Sequence, residues 1–214
     1  MKKSLFLTAV LLFAVSGFAD TTYNNFNGYQ DFWNSFGNPN TATYGELFTA
    51  PSNGDTNLTS FSFYMGSPTV VGDITLGGYI ATWDGNHAGS LLYSSPQTTY
   101  DNAGHEQLTF NTGGLGLQGG QQYVMFLSVS QYYGQSSGET SVSQGSSING
   151  LNGFAWYNNS GDFNALFNSS WDNFGASPDW AVDLEFNSVP EPGSLMLLGT
   201  GILGGIGVLR RKLF

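Results

Sequence analysis

The chain has 214 residues, a formal net charge of −10 and no cysteine, which excludes disulfides, thiolate metal sites and cysteine nucleophiles. Its five basic residues are confined to the two ends: Lys2, Lys3, Arg210, Arg211 and Lys212. The body between them carries every one of the 15 acids except Glu191. Because phosphate binding needs Lys or Arg, nucleic acid is excluded as a partner of the body.

The N-terminus has the layout of a secretory signal peptide. Met1, Lys2 and Lys3 give a positive start, residues 5–15 an apolar stretch, and residues 17–19 a small-x-small triplet. An apolar stretch of eleven residues is too short for a permanent membrane helix. We therefore expect export through the Sec pathway, with cleavage between Ala19 and Asp20.

The body, residues 20–188, alternates short apolar stretches with turns of Gly, Asn, Ser and Asp, which is typical of β-strands. In residues 58–65, apolar side chains alternate with Ser60, Ser62 and Tyr64. Eight strands are predicted, at 44–50, 58–65, 74–83, 91–93, 106–110, 122–129, 153–157 and 180–186. With no helical period of useful length, the sequence predicts one all-β domain, a jelly-roll-like two-sheet sandwich.

Residues 133–153 are rich in Gly, Ser and Gln, and we interpret them as a surface excursion or a weak edge strand around 141–143. Within them, residues 134–138 match Gly-x-Ser-x-Gly, the nucleophile elbow of hydrolases, with Ser136 as the nucleophile. That motif requires a buried strand before it and a helix after it. The low-complexity context here disfavours it, and a secreted esterase is kept only as an alternative.

Other acidic and histidine side chains have simple structural interpretations. Asp183 and Glu185 alternate with apolar residues, so they share one strand face that we expect to be solvated. A glycosidase would instead need two carboxylates across a groove. His87 and His105 are isolated in sequence, and we interpret both as polar turn residues.

Two turns offer oxygen ligands for calcium. Asn53, Asp55 and Asn57 alternate along the chain, and Asp84 and Asn86 flank a glycine. Neither turn matches an EF-hand loop. The competing interpretation, Asx-rich turns that cap their own backbone, is preferred, and no other cofactor is expected.

Aromatic residues cluster in two Asn-rich segments. The members are Phe32, Trp33 and Phe36, and then Trp156, Tyr157, Phe163, Phe167, Trp171 and Phe174. Rings beside amide and carboxylate groups suit sugar binding, because ring faces stack and hydroxyls take directional hydrogen bonds. Core packing is preferred for most of these rings. Tyr157 and Trp171 are retained as the expected exposed, glycan-binding side chains.

The C-terminus combines three ordered features. Val189, Pro190, Glu191 and Pro192 form an extended peptide, residues 195–209 an apolar stretch, and Arg210, Arg211 and Lys212 a basic end. A helix of 15 residues rises roughly 22 Å, which crosses a bilayer only marginally. The positive-inside rule places the basic end in the cytoplasm and the body outside it.

These three features resemble the PEP-CTERM sorting signal of Gram-negative bacteria. The resemblance implies recognition by exosortase, transient anchoring in the inner membrane with the body in the periplasm, and later release to the cell surface or matrix. Proteins with this signal are typical of bacteria that make exopolysaccharide. More loosely, residues 45–51 and 58–63 resemble the jelly-roll ectodomains of other PEP-CTERM proteins.

The sequence therefore predicts three parts: a signal peptide at 1–19, a β-sandwich at 20–188 and a sorting signal at 189–214. The expected function is that of a non-catalytic surface or matrix protein associated with exopolysaccharide. The alternatives are a secreted hydrolase and a purely structural, adhesive surface protein.

Overall fold

The computed structural model describes residues 20–66, 72–100, 104–173, 175, 178–188, 199 and 201, without the side chains of residues 30–34. Residues 20–187 form a compact unit of their own. The expected signal peptide, most of the sorting signal and its membrane helix lie outside the described residues. In the part that is described, no helix has the length and hydropathy needed to cross a bilayer.

Within the described residues, the compact unit contains fourteen strands and two 3₁₀ helices. The strands are β1 (Thr21–Asn24), β2 (Gln30–Gly37), β3 (Thr43–Thr49), β4 (Asn57–Met65), β5 (Ile74–Trp83), β6 (Ala88–Ser94), β7 (Thr98–Tyr100), β8 (Glu106–Gly116), β9 (Gln122–Ser128), β10 (Glu139–Gly145), β11 (Leu151–Tyr157), β12 (Asp172–Asn173), β13 (Asp179–Trp180) and β14 (Val182–Asn187). The 3₁₀ helices span Ser130–Tyr132 and Phe163–Phe167.

The strands form two antiparallel sheets of seven strands each. Sheet A has the order β1-β14-β4-β10-β13, with β2 paired to β10 and β8 paired to β4. Sheet B has the order β12-β11-β3-β9-β5-β6, with β7 paired to β5. The predicted all-β architecture with two sheets is confirmed.

All eight predicted strands are present, and the last of them is divided into β13 and β14. The structure adds β1, β2, β7, β10 and β12. Of these, β10 corrects the interpretation of residues 141–143 as a weak edge strand. It pairs with β2, β4 and β13, and Thr140, Ser141, Val142 and Ser143 are buried. The strand was not recognised because its side chains are mostly small hydroxyl groups and show no alternation of apolar residues. Its backbone is nevertheless paired to several neighbouring strands.

The main hydrophobic core lies between the sheets and is rich in aromatic rings. From β4, Phe61 and Phe63 are fully buried, and the Phe61 ring stacks on Phe110 of β8 with centroids 5.1 Å apart. Sheet B contributes Tyr44, whose ring stacks on Trp180 of sheet A at 4.8 Å. Aromatic side chains thus fill much of the space between the sheets, as the core-packing interpretation expected.

Candidate functional site

The outer face of sheet B is covered by residues 158–171, which we call the cover segment. A second hydrophobic cluster lies beneath it, formed by outward side chains of β3, β5, β9 and β11 together with Leu166 and Trp171 of the cover segment. The Phe126 ring of β9 contacts Trp171 edge-on, with centroids 5.4 Å apart. This outer face is therefore closed by the chain itself.

The exposure expected of Trp171 is wrong. Its side chain is 4% exposed, and its indole N–H donates to the Leu166 carbonyl at 2.9 Å. A Cβ at Gly45 of β3 would lie 3.0 Å from the Trp171 ring, so the glycine leaves the space that the indole fills. Tyr157 is half-buried against the same cluster. Neither side chain forms an exposed platform for a sugar.

The outer face of sheet A is polar, and we call it the open face. Its side chains lie in two rows across four strands, in the order β1, β14, β4 and β8. The first row is Thr22, Glu185, Ser60 and Asn111, and the second is Asn24, Asp183, Ser62 and Thr109. These rows confirm that Asp183 and Glu185 lie on the same outer face, where Glu185 is exposed and Asp183 half-buried.

Hydrogen bonds join the side chains of both rows. Ser60 Oγ donates to Glu185 Oε2 at 3.0 Å, and the Ser62 and Thr109 hydroxyls are 2.9 Å apart. Asn24 Nδ2 donates to Asp183 Oδ2, also at 3.0 Å. Burial and the neighbouring Glu185 raise the pKa of Asp183. Ser60 and Ser62 are themselves buried in this network. The ordered polar groups that the open face presents to solvent are those of Thr22, Asn24, Thr109, Asn111 and Glu185.

Four rings stand at one end of the open face, and we call them the ring cluster: Phe26, Tyr29, Tyr64 and His105. Phe26 stacks on Tyr64 with centroids 3.8 Å apart and planes 3° apart. Tyr29 stacks on His105 at 4.0 Å. Tyr64 is buried beneath the other rings, whereas Phe26 and Tyr29 are half-buried and His105 is exposed. The cluster therefore presents ring surface to solvent beside the polar rows.

The ring cluster was missed by sequence reasoning, which singled out other aromatic residues of the N-terminal segment. Of those, Phe36 is fully buried in the core, and the side chains of Phe32 and Trp33 lie outside the described residues. Phe174, from the second aromatic segment, also lies outside them. A usable signal was present in β4. Tyr64 follows Ser60 and Ser62 at every second position of the strand, so its side chain points to the same outer face as theirs. The two-residue repeat therefore indicated an aromatic ring on that face.

The proposed calcium ligands take part in hydrogen bonds with other protein groups. Asn53 Oδ1 accepts from the Asp55 backbone N–H, Asp55 Oδ2 accepts from Thr21 Oγ1, and Asn57 Nδ2 donates to Asn187. At the other turn, Asp84 Oδ1 accepts from the backbone N–H groups of Asn86 and His87. The contacts of Asn53 Oδ1 and Asp84 Oδ1 are those of Asx turns. The contacts of Asp55 with Thr21 and of Asn57 with Asn187 join segments that are distant in the sequence. Among the described residues, no three acidic or histidine side chains are grouped as a metal site requires. Calcium binding at these residues stays a prediction.

The structure also shows the surroundings of Ser136 and His87, two further candidates from the sequence. Ser136 is buried and lies between the 3₁₀ helix Ser130–Tyr132 and β10, so it does not have the strand-to-helix setting of a nucleophile elbow. His87 Nε2 lies 2.9 Å from Asp84 Oδ2 within a turn.

Among the described residues, two acids have no exposed surface at all, and sequence reasoning singled out neither. Glu46 lies on β3 between Tyr44 and Phe48 on the core-facing side, and Asp179 lies on β13 of the other sheet; both are 0% exposed. Burial and Asp179 raise the pKa of Glu46 well above its ordinary value. Burial also raises the pKa of Asp179. For Glu46 a signal was present in the sequence, because this acid occupies a position of the predicted strand 44–50 at which an apolar, core-facing residue is expected.

Comparison with protein families identifies the PEP-CTERM protein-sorting motif at residues 188–212. The chain thus carries a sorting signal consistent with an exosortase substrate, which implies export and sorting to the cell surface. The motif spans the C-terminal end of the chain and leaves the β-sandwich unassigned. The comparison with curated proteins found no match.

Two solved structures resemble the chain. One is a variant of the clostridial cysteine protease Cwp84 after propeptide cleavage, with a TM-score of 0.53 and 12% identity over 79% of this chain and 40% of that one. The other contains the cysteine protease and lectin-like domains of Cwp84, a surface-layer-associated protein of Clostridium difficile, with a TM-score of 0.45 and 12% identity over 70% of this chain and 32% of that one. The present chain spans less than half of either protein. The first likeness supports the fold alone.

Proposed function

We propose that residues 20–188 are a non-catalytic glycan-binding domain of an exported surface protein, and that the open face with its ring cluster holds exopolysaccharide. The carrying observation is the contrast between the outer faces. One is closed by apolar packing, whereas the other keeps an ordered polar surface beside Phe26, Tyr29 and His105.

The chemistry of this surface fits a sugar chain. The apolar faces of sugar rings stack on aromatic rings, and their hydroxyl groups exchange hydrogen bonds with amide, hydroxyl and carboxyl groups. The two rows extend across four strands about 4.8 Å apart, so they span roughly 15 Å, enough for several sugar units. Because the exposed side chains of Asn24, Thr109 and Glu185 are already held by hydrogen bonds, the surface is ordered before a ligand arrives.

Charge restricts the class of glycan. The open face carries Asp183 and Glu185, with Glu106 at the start of β8, and the whole body has no Lys or Arg. A polyuronate or sulfated glycan would meet like charge with no Lys or Arg side chain to pair it. The fitting ligand is a neutral or amine-bearing polysaccharide.

A panel of immobilised oligosaccharides tests this proposal. It should contain cello-, xylo- and chito-oligosaccharides, partly deacetylated chitosan oligomers and oligouronates. Binding is expected to neutral or amine-bearing members, and Phe26→Ala and Tyr29→Ala should weaken it at least tenfold, since truncating a contact ring typically costs more than about 1 kcal/mol. Phe167→Ala is the matched control, because it removes a half-buried ring on the opposite outer face. Binding that survives both ring-cluster variants would place the glycan elsewhere, and no binding to any member would favour a purely structural or adhesive role.

We also propose that exosortase processes the tail, with the body anchored in the periplasm before release. Pro190 and Pro192 favour an extended peptide, which is a suitable conformation for binding by a membrane-embedded processing enzyme. Replacing Pro190, Glu191 and Pro192 by Ala should leave an unprocessed, membrane-bound precursor in an exosortase-bearing host, detected by a shift in mass and by fractionation. Normal processing of that variant would contradict this step.

A further inference from the structure

The interior acids Glu46 and Asp179 form a link between the two sheets. Glu46 belongs to β3 of sheet B and Asp179 to β13 of sheet A, both side chains are 0% exposed, and the Asp179 carboxyl group contributes to the raised pKa of Glu46. The Trp180 backbone N–H donates to Glu46 Oε2 at 2.8 Å. If both groups are ionised, Glu46 Oε1 and both Asp179 oxygens lack a well-aligned donor.

Two facing carboxylates without water or a cation repel each other strongly, and such pairs keep one proton between them. We propose that Glu46 and Asp179 share one proton, with the Glu46 O–H donating to the Asp179 carboxylate. This hydrogen bond between the sheets makes the stability of the folded sandwich depend on pH. The proton gives a hydrogen-bond partner to Glu46 Oε1 and to one of the two Asp179 oxygens.

The surroundings favour a proton over a metal ion. The N–H groups of Trp180 and Gly153 both approach Glu46, so donors occupy directions from which a cation would bind. Only two carboxylates are present, whereas calcium takes six to eight oxygen ligands. The Ser147 hydroxyl and the Gly153 N–H approach Asp179 and favour its ionised form, which leaves the proton on Glu46.

The other groups around the pair do not titrate near neutral pH. Met125 of β9 and Phe154 of β11 are the strand partners of Glu46, and Trp180 follows Asp179. Tyr44, on the same side of β3, has its pKa raised to about 12, first of all by burial. The two histidines lie at other places, in the β5–β6 turn and before β8. A pH effect between about 5 and 9 at this place therefore belongs to the pair.

The direction of the effect follows from linkage. In the unfolded chain both acids are ionised above about pH 5, whereas the folded chain keeps one proton, so folding takes a proton up. The contribution to stability is complete below the unfolded pKa values and is lost as pH rises toward the raised pKa of the pair. In that range the unfolding equilibrium constant should increase about tenfold per pH unit from this proton alone.

Urea unfolding of residues 20–188 from pH 4.5 to 8.5 at constant ionic strength tests the proposal. This segment contains every described strand and both hydrophobic clusters. Glu46→Gln places a permanent N–H donor where the proton stands. It should reduce the slope of the logarithm of the unfolding constant against pH by one, and above pH 7 it should unfold at higher urea than wild type. Asp172→Asn, which removes an exposed acid of β12, should keep the wild-type slope.

Infrared spectroscopy of the wild-type chain gives an independent readout if the Gln variant does not fold. One protonated carboxyl per chain should be visible at pH 7, where ordinary acids are ionised. Its absence, or an unchanged slope in a folded Glu46→Gln variant, would overturn the proposal. Stabilisation by calcium at matched ionic strength that is abolished by Glu46→Gln would overturn it as well, because the pair would then bind a cation.

Discussion

Both outer faces of the sandwich belong to antiparallel sheets, but one is apolar and covered by the chain, whereas the other is polar and has no such cover. On sheet B, Leu47, Val124 and Phe126 point outward and are covered by Trp171 and Leu166. On sheet A, the corresponding positions are Ser, Thr, Asn, Asp and Glu. Those of the central strand β4, Ser60 and Ser62, are buried, whereas those of β1, β8 and β14 are exposed or half-buried beside the ring cluster. Sheet B shows that this chain can cover an outer face when that face is apolar. A polar outer face is what an antiparallel sheet ordinarily presents to water. What distinguishes this one is the ring cluster beside it, on which the glycan-binding proposal rests.

The largest expected effect concerns the covered face. Trp171→Ala removes a buried indole and its hydrogen bond to Leu166, and should lower the free energy of unfolding by about 3–5 kcal/mol. Chemical denaturation of residues 20–188 measures this loss. His105→Ala, on the exposed side of the ring cluster, should change stability by less than about 0.5 kcal/mol. Similar losses for both variants would break the distinction between the faces.

A smaller effect is expected where the cover segment begins its 3₁₀ helix. Asp162 Oδ1 accepts from the Ala165 backbone N–H and caps the helix Phe163–Phe167. Asp162→Ala should lower stability by about 1 kcal/mol, whereas Asp162→Asn, which keeps an acceptor, should cost less. Hydrogen exchange should show the loss in the cover segment and leave the open face protected as before. Uniform loss across both sheets would contradict a locally held cover.

The smallest effect is expected on the open face. Burial and Glu185 raise the pKa of Asp183, so its ionised form is disfavoured in the folded chain and wild-type stability should increase as pH falls through that raised pKa. Asp183→Asn should therefore add no more than about 0.5 kcal/mol at pH 7, because solvent screens the partly exposed pair. Thermal unfolding at pH 4 and pH 7 measures the difference, with Asp20→Asn as an exposed control. A clear loss of stability at pH 7 would show that the Asp183 carboxylate is structurally required.

Periodicity predicted the open face well. The alternation of Ser60, Ser62 and Tyr64 with apolar residues placed them on one side of β4, and the same reasoning placed Asp183 and Glu185 beside each other. Both follow from the two-residue repeat of a strand, which is a local property. The neighbours across the sheet depend on strand order, which the sequence pattern did not contain.

Contacts made at long range were not predictable in this way. Trp171 lies in an aperiodic Asn-rich segment, and its burial depends on the space left by Gly45, more than a hundred residues earlier. Phe26 and Tyr29 lie between β1 and β2 and meet Tyr64 only after the sheet has formed. Glu46 contradicts the apolar phase of β3, and its partner Asp179 belongs to the other sheet. Each of these sites is created by tertiary packing.

The most direct test of the glycan-binding account is a chemical-shift titration of ¹⁵N-labelled residues 20–188 with chitosan and cello-oligosaccharides. The account predicts saturable shifts of backbone amides in β1, β4, β8 and β14 and around Tyr29 and His105, with none in the cover segment. Shifts centred on the cover segment, or no shifts with any neutral or amine-bearing oligosaccharide at millimolar concentration, would contradict it.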